Sequence, residues 1–255
     1  MDSRSAGRKR PRGIYLLPNL FTTAGLFCGF YAIVAAMSGR FESAAVAIFV
    51  AMVMDGIDGR VARLTDTQSE FGVEYDSLSD MVCFGLAPAL VVYQWALRGM
   101  ADAGWMWAKI GWLVAFIYAL GAALRLARFN AQVGVADKRY FQGLPSPSAA
   151  AVIAGLVWLG TEAGLGGQDL QWPALVLTLA AGLLMVSNFR YYSFKELDFK
   201  NRVPFVVLLM VTLSLVLITI NPPTFLFLGF FIYMLSGPVL TVWQLRRRRA
   251  GRAEE

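Results

Sequence analysis

The sequence predicts an all-α membrane bundle of about eight spans with both chain ends on the cytoplasmic side. Three observations lead there. Of 255 residues, 57% are hydrophobic and 16% charged, with a mean hydropathy of +0.56, which is too apolar for a soluble domain. The apolar residues gather into eight runs, most of them near the length that crosses a bilayer. The basic residues are split unevenly between alternate connections, as topology requires of a multi-pass chain.

The runs follow in order. Residues 1–13 are polar and basic, and read as a disordered cytoplasmic N-terminus. The first span is expected at Leu17–Ala36, with Asn19, Thr22 and Thr23 as polar residues at its start. The second, Glu42–Arg63, carries Asp55, Asp58, Arg60 and Arg63 in its last turns. A short polar connection leads to the third, Asp76–Leu97. The fourth, Trp107–Phe129, ends in LRLARFN. A loop with FQGLPSP leads to the fifth, Ser148–Gly160. The sixth is Trp172–Val186, the seventh Val203–Ile220 and the eighth Thr224–Leu245. One membrane catalytic domain over 14–245 follows, with a basic cytoplasmic tail over 246–255.

The charges orient this pattern. Five basic residues precede the first span (Arg4, Arg8, Lys9, Arg10 and Arg12). Lys138 and Arg139 lie in the fourth connection. Arg190, Lys195, Lys200 and Arg202 lie in the sixth, and Arg246, Arg247, Arg248, Arg249 and Arg252 in the tail. The other side receives only Arg40, Arg98 and Lys109. Positive residues stay inside, so both termini and the ends of spans two, four and six face the cytoplasm. The net charge of +6 is thereby explained by the membrane and implies no nucleic-acid partner.

Composition also excludes chemistry. There is no histidine, so an imidazole base and an imidazole-bound zinc are both ruled out. Cys28 and Cys83 sit in apolar runs and read as buried small side chains, not as a disulfide framework. No cleavable signal peptide is expected, because the first apolar run continues to spanning length without a small-residue cleavage site.

The informative stretch is Asp55–Asp80, DGIDGRVARLTDTQSEFGVEYDSLSD. Asp55 and Asp58 are three apart, and Asp76 and Asp80 four apart, so each pair shares a helix face. Carboxylates at the mouth of so apolar a chain are costly and mark function. Two such pairs on neighbouring helices suit one or two hard divalent cations, Mg²⁺ or Mn²⁺ rather than zinc. Arg60 and Arg63 suit phosphate oxygens, and Arg63 suits a bidentate pairing. Gly56, Gly59 and Gly72 permit close approach, with helix packing the expected use of Gly56. Metal-assisted phosphoryl-group chemistry at the membrane surface follows. One of the four aspartates is then the natural base for an incoming hydroxyl; the pattern does not say which. A metal-ion or small-molecule transporter would instead scatter acids at mid-depth through several spans.

The spacing Asp55-x-x-Asp58-Gly59-x-x-Ala62-Arg63, eight residues, then Gly72-x-x-x-Asp76-x-x-x-Asp80 resembles the signature of the CDP-alcohol phosphotransferase family. All eight defining positions match. The resemblance implies a CDP-linked lipid donor whose CMP is displaced by an acceptor hydroxyl. It implies Asp55, Asp58 and Asp76 as ligands to two metal ions, and Asp80 as general base beside the second ion. Gly59, Ala62, Arg63 and Gly72 would line the nucleotide and pyrophosphate, with Asn19, Thr22 and Ser69 as further nucleotide contacts. It also implies a homodimer.

Four segments, LPNLFT, ARFN, FQGLPSP and SNFRYYSFK, are similar to those of the serine-accepting bacterial and archaeal members of that family. CDP-diacylglycerol and L-serine are the implied substrates, and phosphatidylserine and CMP the products. The same chemistry on glycerol 3-phosphate or an inositol phosphate is the nearby alternative. Serine needs a cation for its carboxylate, for which Arg125 or Arg128 is expected. Its ammonium needs acceptors, for which Asn130 and the GLPSP turn, including Gly143 and Pro145, are expected. Asp66, between Arg63 and Gly72, is an acid where a pyrophosphate neighbour should be neutral or basic; the phosphate placement requires that it face water.

Overall fold

The computed structural model describes residues 16–67, 69–131, 140–192 and 205–251. Residues 1–13, the loop basic residues Lys138 and Arg139, and Lys195, Lys200 and Arg202 lie outside the described residues. The fold is helical, and a helical element coincides with each of the eight expected runs. Helix α1 is Leu16–Met37 and α2 is Phe41–Thr65. Helix α3, Glu70–Asp80, passes through a π-helical segment, Met81–Leu86, into α4, Ala87–Trp95. A 3-10 turn, Leu97–Ala103, precedes α5, Trp105–Ala131. Then come β1 (Tyr140–Gln142), α6 (Ser146–Glu162), α7 (Gln171–Val186), β2 (Arg190–Tyr192), α8 (Phe205–Ile220) and α9 (Pro222–Gly251). Four of the helical stretches, Leu17–Met37, Glu70–Ala103, Trp105–Ala131 and Pro222–Thr241, are long and apolar enough to cross a membrane.

Small residues let the first two helices touch. Ala32, Ala35 and Ala36 of α1 and Ala44, Ala45, Ala47 and Ala51 of α2 are all buried. Close backbone approach of this kind is the usual way helices associate in a bilayer, where apolar burial offers no drive. The turn between them reverses at Gly39, whose φ of 74° is open to glycine without strain. Helix α6 is the axis of the bundle. Ala149, Ala150, Ala151, Val152, Ile153 and Ala154 have no exposed surface, the mark of a helix surrounded on all sides. Helices α5 and α7 meet backbone to backbone, since a Cβ on Gly121 would lie 2.5 Å from the Gly182 carbonyl oxygen.

Two features depart from the simple eight-span pattern. The strands β1 and β2 pair antiparallel, Phe141 opposite Tyr191, and tie the ends of two loops that were expected to be irregular. Tyr191 anchors the pair: it is buried, and its hydroxyl donates to the Met234 carbonyl at 2.9 Å. Burial pushes that phenol well above its ordinary pKa, so it keeps the donating proton. In addition, α9 runs on to Gly251, so the arginine run Arg246–Arg249 is carried on the helix rather than ending it.

The π segment directly follows Asp80, and Pro88 explains it. Proline has no N–H, so the carbonyl of Phe84 loses its donor four residues on. The backbone compensates by a wider turn, in which Ala87 N–H donates to Val82. The Phe84 carbonyl is taken instead by the hydroxyl of fully buried Tyr118, at 3.1 Å. Tyr118→Phe would orphan that carbonyl, at a cost of about 1–3 kcal/mol. The expected result is a lower midpoint of thermal unfolding in detergent; an unchanged midpoint would show that the carbonyl has another partner.

Candidate active site

The end of α2 and the start of α3 are joined by residues 66–69, and α3 packs chiefly on α1. Asp66 closes α2 in the left-handed region, at φ 52°, with its N–H on the Ala62 carbonyl. Asp is among the few side chains that accept that conformation readily. Asp66 is exposed. Ser69 then starts α3 by accepting the Gly72 N–H on its hydroxyl at 3.0 Å.

The two acid pairs converge. Carboxylate oxygens of Asp55, Asp76 and Asp80 lie within 4.8 Å of one another. Asp80 is in hydrogen-bond contact with Asp55. Asp58 lies within electrostatic reach of Asp76 and Asp80 but is set deeper, at 4% exposure. Thr22 of α1 fixes it, donating to Asp58 Oδ2 at 2.8 Å. Ser79 of α3 donates back to the Thr22 carbonyl at 3.3 Å. The four aspartates, Thr22 and Ser79 line one narrow cleft between α1, α2 and α3.

Carboxylates held this close repel unless a cation or a proton lies between them. The donor set is all oxygen, which matches a hard divalent ion. The residues therefore fit the metal that the sequence implied.

Around the cleft the expected nucleotide residues divide. Asn19 reaches the backbone of Gly72, where a Cβ would lie 3.5 Å from its Oδ1 and 3.1 Å from the Ser69 hydroxyl. Thr22 is engaged by Asp58 rather than turned to a ligand, and the Ser69 side chain is used as the helix cap. Gly59 has open space where a Cβ would project, and so has Gly56. Gly56 was expected to serve helix packing; no neighbour is close enough for that. Together they leave one face of α2 bare beside Asp55 and Asp58. Arg63 is exposed in the last turn, and half-buried Ala62 supplies its carbonyl to the cap of α2.

Residues expected to meet the acceptor lie at the same end. Asn130 donates to the Ser77 hydroxyl at 3.0 Å, which binds the end of α5 to α3 between Asp76 and Asp80. Gly143 is buried at φ 79°, and a Cβ there would clash with the Met185 carbonyl. Its N–H donates to the Phe189 carbonyl at 2.9 Å, which holds the chain close to the end of α7. Pro145 precedes the first residue of α6. Arg128 donates to the carbonyls of Val186 at 2.8 Å and Ser187 at 3.3 Å. Arg125 donates to the Ser146 hydroxyl at 2.8 Å. Beside this group a cavity of about 690 Å³ opens next to Arg60 and Ser148, and apolar Leu217, Ile218, Leu226 and Phe230 of α8 and α9 line its wall.

Thr22's part, Ser79 and the π segment were not singled out as site features in the sequence. The only available signal was Pro88 four residues after Phe84.

Comparison with known proteins places the motif in a family. The family model described as CDP-alcohol phosphatidyltransferase matches residues 15–187, which includes all four aspartates. The chain belongs to the CDP-alcohol phosphatidyltransferase family. Among its relatives, the Helicobacter pylori CDP-diacylglycerol–serine O-phosphatidyltransferase is 36% identical over 224 residues, 88% of this chain and 90% of the relative. The Methanocaldococcus jannaschii protein of the same name is 33% identical over 190 residues, 74% of this chain and 80% of the relative. The archaetidylserine synthase of Methanothermobacter thermautotrophicus is 31% identical over 185 residues, 72% of each chain. These family relatives match the chain well beyond the acidic stretch.

Proposed function

We propose that the protein is an integral membrane enzyme that moves the phosphatidyl group of CDP-diacylglycerol onto the hydroxyl of L-serine. The products are phosphatidylserine and CMP. The observation that carries this reading is the convergence of Asp55, Asp76 and Asp80 inside the family's motif; the serine-specific relatives supply the acceptor.

Asp55, Asp58, Asp76 and Asp80 would hold one or two divalent ions, Mg²⁺ or Mn²⁺, for which an all-oxygen donor set is suited. When bound, the ions polarise the diphosphate and offset the charge on departing CMP. Thr22 keeps Asp58 in a fixed rotamer for this task. The bare face at Gly56 and Gly59 receives the nucleotide and diphosphate, with Asn19, Gly72 and Arg63 at its border. The apolar cavity beside Arg60 accommodates lipid. Asp80 takes the proton of the serine hydroxyl. The oxygen bonds to the phosphorus that carries diacylglycerol, and the bond from that phosphorus to CMP breaks. The reading places the site at the cytoplasmic face of the inner membrane, in a multi-pass homodimer. The basic bias of the connections supports the orientation, and the family resemblance supports the dimer.

The test is CMP release by purified protein in detergent. CDP-diacylglycerol plus L-serine should yield CMP with Mn²⁺ or Mg²⁺, lose it on chelation and regain it on metal return. Glycerol 3-phosphate and an inositol phosphate should be poor acceptors in the same assay. No metal-dependent release with serine, or faster release with a phosphorylated acceptor, would overturn the reading.

A further inference from the structure

Tyr118 of α5 has no part in the chemistry proposed above, yet it is tied to the segment that begins where α3 ends. It has no exposed surface, and its hydroxyl donates to the Phe84 carbonyl at 3.1 Å. A buried tyrosine hydroxyl needs a partner, and a buried carbonyl four residues before a proline needs a donor. These needs explain the bond; its location gives it a further consequence.

That location is the carboxylate cleft. Cys83 and Phe84 line it together with Asp55, Asp58, Asp76 and Asp80. The π-helical segment Met81–Leu86 starts at the residue after Asp80. Phe84 is four residues beyond Asp80, one turn along the same helix. An isolated π turn is a rare departure from the α-helix and often marks a functional site. Here neighbouring helices hold it from two sides. Helix α1 presses on Cys83, whose Sγ donates to the Gly25 carbonyl at 3.2 Å; a Cβ on Gly29 would lie 2.8 Å from that sulfur. Helix α5 holds the other side through Tyr118 and through Ala122, whose Cβ would lie 3.2 Å from a Cβ on Gly85.

We infer that Tyr118 is a positioning residue for the reaction: by tying the Phe84 carbonyl to α5 it fixes the π-helical segment, and so the place of the Asp80 carboxylate among the other acids. This rests on the reading of Asp80 as base. A base acts only within hydrogen-bond reach of the proton it takes, and a misplacement of about 1 Å can cost roughly 10²-fold in rate. The Tyr118 hydroxyl is spent on a backbone carbonyl. Its loss should therefore slow turnover and spare the binding of donor and metal.

The experiment separates positioning from simple satisfaction of a carbonyl. Tyr118→Phe removes the hydroxyl. Pro88→Ala returns an N–H that can bond the Phe84 carbonyl from within the helix. Both single variants and the double variant are compared with wild type in detergent, with rates counted per Mn²⁺-binding site so that unfolded protein does not enter. Tyr118→Phe should lower kcat by about 10-fold or more, with the KM for CDP-diacylglycerol and the Mn²⁺ affinity within about twofold of wild type. The double variant should regain the thermal midpoint but not kcat, because the tie to α5 is still missing. Recovery of kcat together with the midpoint would overturn the proposal, since the hydroxyl would then only satisfy a carbonyl. So would a wild-type kcat in Tyr118→Phe, or a fall in kcat matched by an equal fall in donor or Mn²⁺ affinity. If Pro88→Ala leaves the midpoint low, the split between kcat and binding in Tyr118→Phe decides by the same criteria. Turnover that survives in Asp80→Asn would instead overturn the assignment of the base, whatever Tyr118→Phe does.

Discussion

Asp80→Asn is expected to abolish turnover while leaving donor binding largely intact. The loss should be on the order of 10²–10⁴-fold in kcat, the range that a positioned general base contributes. Asp80 ends α3 and is the last carboxylate before the π segment. Its neighbours Asp55 and Asp76 remain in the variant to hold metal, and Asn keeps the volume of the side chain. The replacement therefore removes a proton acceptor without opening a cavity. The measurement is a pair: CMP release with serine, and CDP-diacylglycerol affinity in the presence of Mn²⁺. A variant that turns over within tenfold of wild type would refute the role of Asp80 as base. A variant that loses donor affinity as well would make Asp80 chiefly a metal ligand.

The legible part of this site was the part encoded within single helices. Asp55 and Asp58, like Asp76 and Asp80, declare their shared faces by spacing alone. The short connection between α2 and α3 suggested that the two faces approach; α3 itself packs chiefly on α1. The helix positions came from apolar runs, of which four are long enough to cross a membrane. What the sequence could not convey were contacts between helices distant in the chain. Thr22 and Asp58 are 36 positions apart, and nothing local indicates that one hydroxyl is assigned to one carboxylate. Arg125 and Arg128 share a composition and an environment in sequence; only the positions of α6 and α7 distinguish a guanidinium bonded to the Ser146 hydroxyl from one bonded to two carbonyls at the end of α7. Glycines behave likewise. Gly56 reads as a packing position yet meets nothing, whereas Gly121, which no motif marks, meets another backbone. The short pairing of β1 with β2 depends on two loops that are separated by two helices, and no alternating pattern of useful length announces it.

Asp55→Asn should behave in the opposite way to Asp80→Asn: metal and donor affinity should fall together. Asp55 is the α2 member of the three carboxylates whose oxygens converge. Asp58, the other acid of α2, has one oxygen already taken by Thr22. Removing the charge of Asp55 leaves α3 to hold the ion with little help from the facing helix. Loss of a group that merely supports a metal ligand costs about 10–100-fold in affinity, so loss of the ligand itself should cost more than about 100-fold. Mn²⁺ binding followed by electron paramagnetic resonance reads the first effect without turnover. CDP-diacylglycerol affinity at fixed, subsaturating Mn²⁺ reads the second. Raising Mn²⁺ should recover donor binding in Asp55→Asn, because the diphosphate is held through the ion. If donor affinity falls while Mn²⁺ binding is unchanged, Asp55 acts on the diphosphate directly, and the carboxylate cluster is not the metal's seat. If both survive, the convergence of the three aspartates has no bearing on cation binding, and the chemistry proposed for this end of the bundle fails with it.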